Sequence, residues 1–223
     1  MYLRNIDLML DLGKSIRLEH NRDFMTGSRC IVSMFERLLG RYKNDVCKKI
    51  NMHCGNNAER PIKTVDGFCD VYLDFTESDL KNFKFKGDYE KKVAYLELLM
   101  NGIKKVSNEY GWDTKIFEDV YNQIIQLNYE NMWQWKKAVC SPSRKYKAEL
   151  ILEHEIPYIH FNLIIKDKNN EILTERILLS EIPDEYSYAY HLGKLKWLSN
   201  YEIALINRLN SQMIVVNLEN ILS

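Results

Sequence analysis

The feature that most limits what this chain can fold into is a change of hydrophobic period near residue 128. Before it, apolar residues recur largely at helical spacing, as in Ile31, Met34, Phe35, Leu38, Leu39 and Tyr42, and in Tyr89, Val93, Leu96, Met100, Ile103, Val106 and Tyr110. After it, short apolar runs alternate with turn signals at SPSR, EIP, DKNN, IPDE, SN and NRLNS, the spacing of an antiparallel meander. The expected fold is α+β, with N-terminal helices followed by a mainly antiparallel C-terminal β-meander. No Pro/Gly/Ser-rich linker, low-complexity tract or internal repeat divides the chain, so a single domain over 1–223 is expected, helical to about 127 and β-rich from 128.

Within the first part, Leu3, Ile6 and Leu10 extend the helical spacing to the N-terminus, so two or three helices are expected over residues 2–54, ended by NMHCGNNAERP. GFCDVYLDF, Gly67 to Phe75, breaks the pattern by strict alternation. One additional strand is expected there, joining the C-terminal sheet to satisfy its backbone. Thr76 and Ser78 are candidate caps, Gly111 is the stop of the 89–110 helix, and a further helix is expected from Asp113 to Leu127 with Ile116, Phe117, Val120, Tyr121 and Ile124 inward. Strands are expected near 131–140, 146–155, 158–166, 171–179, 193–199, 202–207 and 212–218.

Charge and composition exclude some classes of function. Lys+Arg and Asp+Glu are equal at 31 each, and 46% of the 223 residues are apolar, as in an ordinary globular protein. A chain of this length buries roughly 70% of its unfolded surface, so it needs no metal or disulfide staple. Zero net charge argues against a nucleic-acid partner, whose phosphates select for a basic excess. Five irregularly spaced cysteines suit reduced thiols better than a secreted disulfide framework. Arg4, Asp7 and Asp11 interrupt every early apolar run before it reaches membrane length, so a cytoplasmic location without a membrane partner is expected.

Several residue groups invite a chemical reading. ELILEHEIPYIHFNLIIKD, Glu149 to Asp167, sets two histidines around a proline. A hairpin that puts Leu150 and Leu152 on the same face as Ile159, Phe161, Leu163 and Ile165 must pair even positions with odd, for example Leu152 with Leu163 and Leu150 with Ile165. His154 then points inward and His160 outward, and no shared metal site forms. Asp66, Asp70 and Asp74 share the even face of the 67–75 strand, and paired carboxylates on a strand can hold Mg²⁺; the bland reading is a solvated face. Cys47, His53 and Cys54 make only half a zinc knuckle, and the two cysteines are read as buried residues of a helix face.

Aromatic residues supply the other candidates. Trp133 and Trp135 lie among Lys136, Lys137, Arg144, Lys145 and Lys147, but share one strand face, which favours core or protein-interface anchors over base stacking. In PDEYSYAYHLGKLKW, an extended chain would align Tyr186, Tyr188 and Tyr190 in a row, with His191 beside them as a general base lacking a visible nucleophile. There is no GxSxG, P-loop, GxGxxG, HExxH or CxxC motif, and no cofactor is expected.

In general character the chain is similar to the small cytoplasmic α+β proteins that bacteria use as immunity or adaptor partners. That likeness is one of type: neutral charge, abundant Tyr and Trp, free thiols and no catalytic motif. The expectation is a non-enzymatic protein-binding module with Trp133, Trp135, Tyr186, Tyr188 and Tyr190 as contact residues. The alternative is a metal-dependent hydrolase or nuclease using Asp66, Asp70 and Asp74.

Overall fold

In the computed structural model, which describes residues 1–13 and 18–222, the chain has an α+β fold in two compact units, Met1–Glu130 and Asn131–Ser223. The first unit contains β1 (Tyr2–Leu3), β2 (Asn5–Asp11), α1 (Leu18–Leu39), β3 (Tyr42–Lys43), β4 (Lys49–Gly55), β5 (Lys63–Val65), β6 (Phe68–Asp74), α2 (Glu77–Lys84), α3 (Asp88–Tyr110) and α4 (Lys115–Gln126). Its strands correct the helical expectation for residues 2–54. NIDLMLD and KINMHCG alternate, burying Ile6, Leu8 and Leu10, and Ile50, Met52 and Cys54.

These strands build a four-stranded sheet in the order β2-β4-β6-β5, in which β2, β4 and β6 are parallel and β5 returns antiparallel on β6. The 67–75 strand is therefore present as expected, but it lies inside the first unit's own sheet. With β4 available as a parallel neighbour, its backbone is satisfied locally. The β5–β6 connection is Asp66-Gly67, both at positive φ (52° and 81°), the pattern of a two-residue hairpin turn that Asp-Gly favours.

Helices cover the buried face of this sheet. α1 and α3 pack against β2 and β6, and Phe24, Phe75, Phe83 and Tyr95 meet there with ring centroids 4.9–6.3 Å apart. Gly102 lets α3 approach closely, since a Cβ there would lie 2.4 Å from Met52 Sδ. Thr76 caps α2 in a reciprocal box with Asp79, and left-handed Gly111 ends α3. On α4, Phe117, Val120 and Ile124 face inward as expected, whereas Ile116 is exposed. No described helix is long and apolar enough to cross a membrane.

The second unit contains β7 (Asn131–Gln134), β8 (Val139–Cys140), β9 (Tyr146–His154), β10 (Ile159–Asp167), β11 (Ile172–Glu181), α5 (Glu185–Tyr188), β12 (Lys194–Trp197), β13 (Glu202–Ile206), β14 (Met213–Asn217) and α6 (Glu219–Leu222). It follows the expected meander, except that the strand expected near 131–140 is two short strands, β7 and β8, interrupted where Lys136 takes a positive φ of 61°. One antiparallel sheet runs β11-β10-β9-β7 with β8 also on β9, and another runs β12-β13-β14. Ala148, Leu163 and Ile165 pack with Trp197, Ile203, Val216 and Leu218 in one apolar cluster, and Trp197 Nε1 donates to the Val139 carbonyl at 3.0 Å.

In the β9–β10 hairpin, even positions pair with odd ones, as the apolar faces require. The partners themselves differ by two residues: Leu152 pairs with Phe161 and Leu150 with Leu163. A tighter turn is the reason, because Glu155 N–H donates to Tyr158 C=O across Ile156 and Pro157. His154 is fully buried. His160 lies on the other face, stacked on Tyr158 at 3.8 Å.

Candidate functional site

The strand carboxylates do not converge. Residues four apart on one strand face lie about 13 Å from each other, too far to share an ion. Asp66 belongs to the hairpin turn, and Asp74 is exposed at the end of β6. Only Asp70 sits in a polar constellation: its Oδ1 accepts from Asn51 Nδ2 at 2.9 Å and lies 3.2 Å from His53 Nε2. Burial works to raise the Asp70 carboxyl, but the hydrogen bonds from Asn51 and His53, with the charges of His53 and Lys63, outweigh it and hold the group below the ordinary range.

Parallel pairing makes this constellation. β4 and β6 are in register at Asn51↔Asp70 and His53↔Tyr72, so these side chains share the face opposite the helices. His53 stacks on Tyr72 with centroids 5.0 Å apart, and Arg60 caps the Tyr72 ring at 5.3 Å while lying 3.7 Å from Asp11. On the neighbouring row, Asp7 meets Lys49 at 2.5 Å and Arg29 at 3.8 Å. Asp7, Asp11 and Asp70 are thus each matched by a base or an amide. Among the described residues, no group of three or more His, Cys, Asp or Glu is placed to hold a metal ion.

The Cys47, His53 and Cys54 set also separates. Cys54 lies on the buried face of β4 rather than on a helix, its thiol pushed up to about 12 by burial, while His53 points to the opposite face. No common point for a zinc ion exists between them.

In the second unit the five aromatic candidates part company. Residues 186–190 are not extended. Asp184 caps a helical turn through a bond from Tyr186 N–H at 3.0 Å, so alternate tyrosines point in nearly opposite directions instead of forming a row. Tyr186 is 97% exposed and Tyr188 is 5% exposed. The Tyr188 ring meets His154 at 5.8 Å and Phe161 at 6.4 Å, both edge to face. Trp133 and Trp135 brace the same cluster, which includes Leu150, Leu152 and Leu205. Lys136 lies over the Trp135 ring at 5.3 Å while donating to the Gly193 carbonyl at 2.7 Å. Tyr190 is half-buried, with its hydroxyl 3.0 Å from Ser211 Oγ.

His191 has a carboxylate partner, with Nε2 3.1 Å from Glu181 Oε1, and it borders a pocket of about 310 Å³ with Leu205, Asn207 and Ile214. The Asn207 amide is committed to its own turn through Ser211. Among the described residues no hydroxyl or thiol is hydrogen-bonded to the imidazole, and the pair links β11 to the segment after α5.

One exposed apolar strand was not among the sequence candidates. β11 is ten residues long, terminates its sheet, and is hydrogen-bonded to β10 on one side. Ile172 is 58% exposed and Ile177 57%, with Leu173 and, just past the strand, Ile182 also exposed. Two irregularities in its pairing with β10 fall beside Leu173 and Leu178. The sequence signal was available: ILTERILL is not alternating, so a strand built on it must show aliphatic side chains on both faces. Compared with protein-family models, curated proteins and solved structures, the chain matches none.

Proposed function

We propose that this protein is a non-enzymatic, cytoplasmic protein-binding module, immunity- or adaptor-like, whose contact surface is the outer edge of β11 and the exposed Tyr186 beyond it. The observation that supports the reading most is the ten-residue edge strand with Ile172 and Ile177 more than half exposed. Such an edge offers unpaired backbone groups to an extended partner segment, and its isoleucines offer apolar area worth about 25 cal/mol per Å² on burial. The occupant is an extended segment with aliphatic residues at alternate positions. A catalytic role based on Asp66, Asp70 and Asp74 has no comparable support, because those carboxylates lie apart and Asp70 is already paired.

The test is selection of binders from a library of extended peptides displayed against the whole protein, followed by amide exchange. Protection of residues 172–181 by the selected peptides, and its loss in Ile177→Lys, is the expected result. Peptides that protect another surface, or that bind Ile177→Lys unchanged, would overturn the assignment.

A further inference from the structure

Two thiols face each other in the core of the first unit. Cys47 and Cys69 are both fully buried, and their side chains are hydrogen-bonded to one another. Cys69 sits on β6 opposite Thr64 of β5, whose hydroxyl also bonds to it. The Thr64 hydroxyl is in turn 2.8 Å from the Tyr110 hydroxyl at the surface. A chain of hydrogen bonds therefore runs from solvent through Tyr110 and Thr64 to the thiol pair. Cys47 is held in place by an Asx turn, its N–H donating to Asn44 Oδ1 at 2.8 Å.

We propose that Cys47 and Cys69 form a redox-active dithiol that closes to an intramolecular disulfide under peroxide. The two sulfurs are not equivalent. Hydrogen bonds from Cys47 and, secondarily, from Thr64 hold the Cys69 thiol below its ordinary range against the opposing effect of burial; the bond to Cys69, with burial, pushes Cys47 up. Cys69, on β6 opposite Thr64 of the exposed edge strand β5, is assigned as the attacking thiolate and Cys47 as the resolving thiol. In the first step Cys69 sulfur attacks one peroxide oxygen, the O–O bond breaks, and hydroxide leaves to take a proton. In the second, Cys47 sulfur attacks the resulting sulfenic acid, the S–S bond forms, and the sulfenic oxygen departs as water. One hydrogen peroxide and two thiols give one disulfide and two waters.

Access comes from β5. It is a three-residue edge strand, exposed throughout and paired only with β6, so it is among the elements most easily opened. Its opening uncovers Cys69 without dismantling the sheet. Cys54 provides the internal comparison: it lies in the same sheet, fully buried, with its thiol pushed up to about 12, which leaves it a neutral and unreactive group.

The test uses the whole native protein. It is treated with hydrogen peroxide, remaining thiols are blocked after unfolding, and the peptides are mapped by mass spectrometry with and without dithiothreitol. The expected product is a Cys47–Cys69 linked peptide, reversed by dithiothreitol, with Cys30 and Cys54 still blockable and the exposed Cys140 reacting independently. The linkage persists in Cys140→Ser, and the disulfide raises the melting temperature because it closes the segment between residues 47 and 69. Oxidation of Cys140 alone, with Cys47 and Cys69 fully reduced in the wild-type protein, would overturn the proposal. Faster sulfenic-acid trapping in Cys69→Ser than in Cys47→Ser would overturn the assigned direction of attack.

Discussion

Glu36 accepts the Arg29 guanidinium at 2.9 Å and, through its other oxygen, the N–H of Ile6 at 2.6 Å; Arg29 donates in turn to the Ile6 carbonyl at 2.9 Å. Two side chains of α1 thereby complete the outer edge of β2, with Asn21 doing the same for Leu10 N–H at 3.0 Å. Glu36→Ala leaves a partly buried guanidinium and a backbone N–H without their acceptor, so it is expected to destabilise the protein by roughly 2–4 kcal/mol in urea unfolding. In a cycle with Arg29→Met, the double variant should lose clearly less than the two single losses combined.

Tyr121 sets a limit at high pH. Its hydroxyl donates to Glu97 Oε1 at 2.5 Å, and that bond, with burial and the Glu97 charge, pushes the phenol from 10.0 up to about 12. The folded protein holds this proton more tightly than the unfolded chain. The stabilisation is complete below pH 10 and lost as pH rises toward 12. Ultraviolet titration of wild type minus Tyr121→Phe should show one tyrosine near 12, and Glu97→Gln should lower it; a missing tyrosine near 10 would contradict the assignment.

Asp70 acts at the other end of the scale. Its folded carboxyl is held below 3.8, chiefly because the bonds from Asn51 and His53 overcome its burial. Its contribution to stability is therefore present above the unfolded value and disappears as pH falls through the folded one. Asp70→Asn should be less stable than wild type at neutral pH, and the gap should close on acidification. A gap that is constant from pH 7 to acid would show that the pairing with His53 and Asn51 contributes nothing.

Tyr186 and Tyr188, two residues apart, should respond oppositely to truncation. Tyr188→Ala removes a buried ring from a cluster with His154 and Phe161 and should cost about 3–5 kcal/mol. Tyr186→Ala, at a nearly fully exposed ring, should stay within about 0.5 kcal/mol of wild type while weakening peptide binding at β11. Equal losses would restore the extended row.

These tyrosines also show how far the residues alone could lead. An alternating YSYAY reads as a strand only if the backbone is extended, yet Asp184 followed by Glu185 is a helix-start signal, and in the fold it prevails. The N-terminal strands were obscured differently. Ile6 and Leu10, like Ile50 and Cys54, are four apart, and residues four apart share a face in both a helix and a strand. Leu8 and Met52 broke the tie, but seven residues are few for deciding between periods. The C-terminal strands were legible because turn signals bound each one. The His53–Asp70 pair was not, since it depends on a parallel register between residues 17 positions apart. Neither was the Cys47–Cys69 contact, which joins the segment before β4 to β6.

The Asp66-Gly67 turn is expected to set the order in which the strands of the first unit pair. Closing a two-residue loop forfeits little chain entropy, so β5 and β6 can zip together within microseconds. β2 and β4 must instead wait until the whole of α1 has crossed between them. Substitutions in the turn are therefore expected to slow refolding, while those along the β2–β4 seam chiefly hasten unfolding. A residue that first drew notice as a possible ligand thus marks the place where pairing in the sheet is expected to begin.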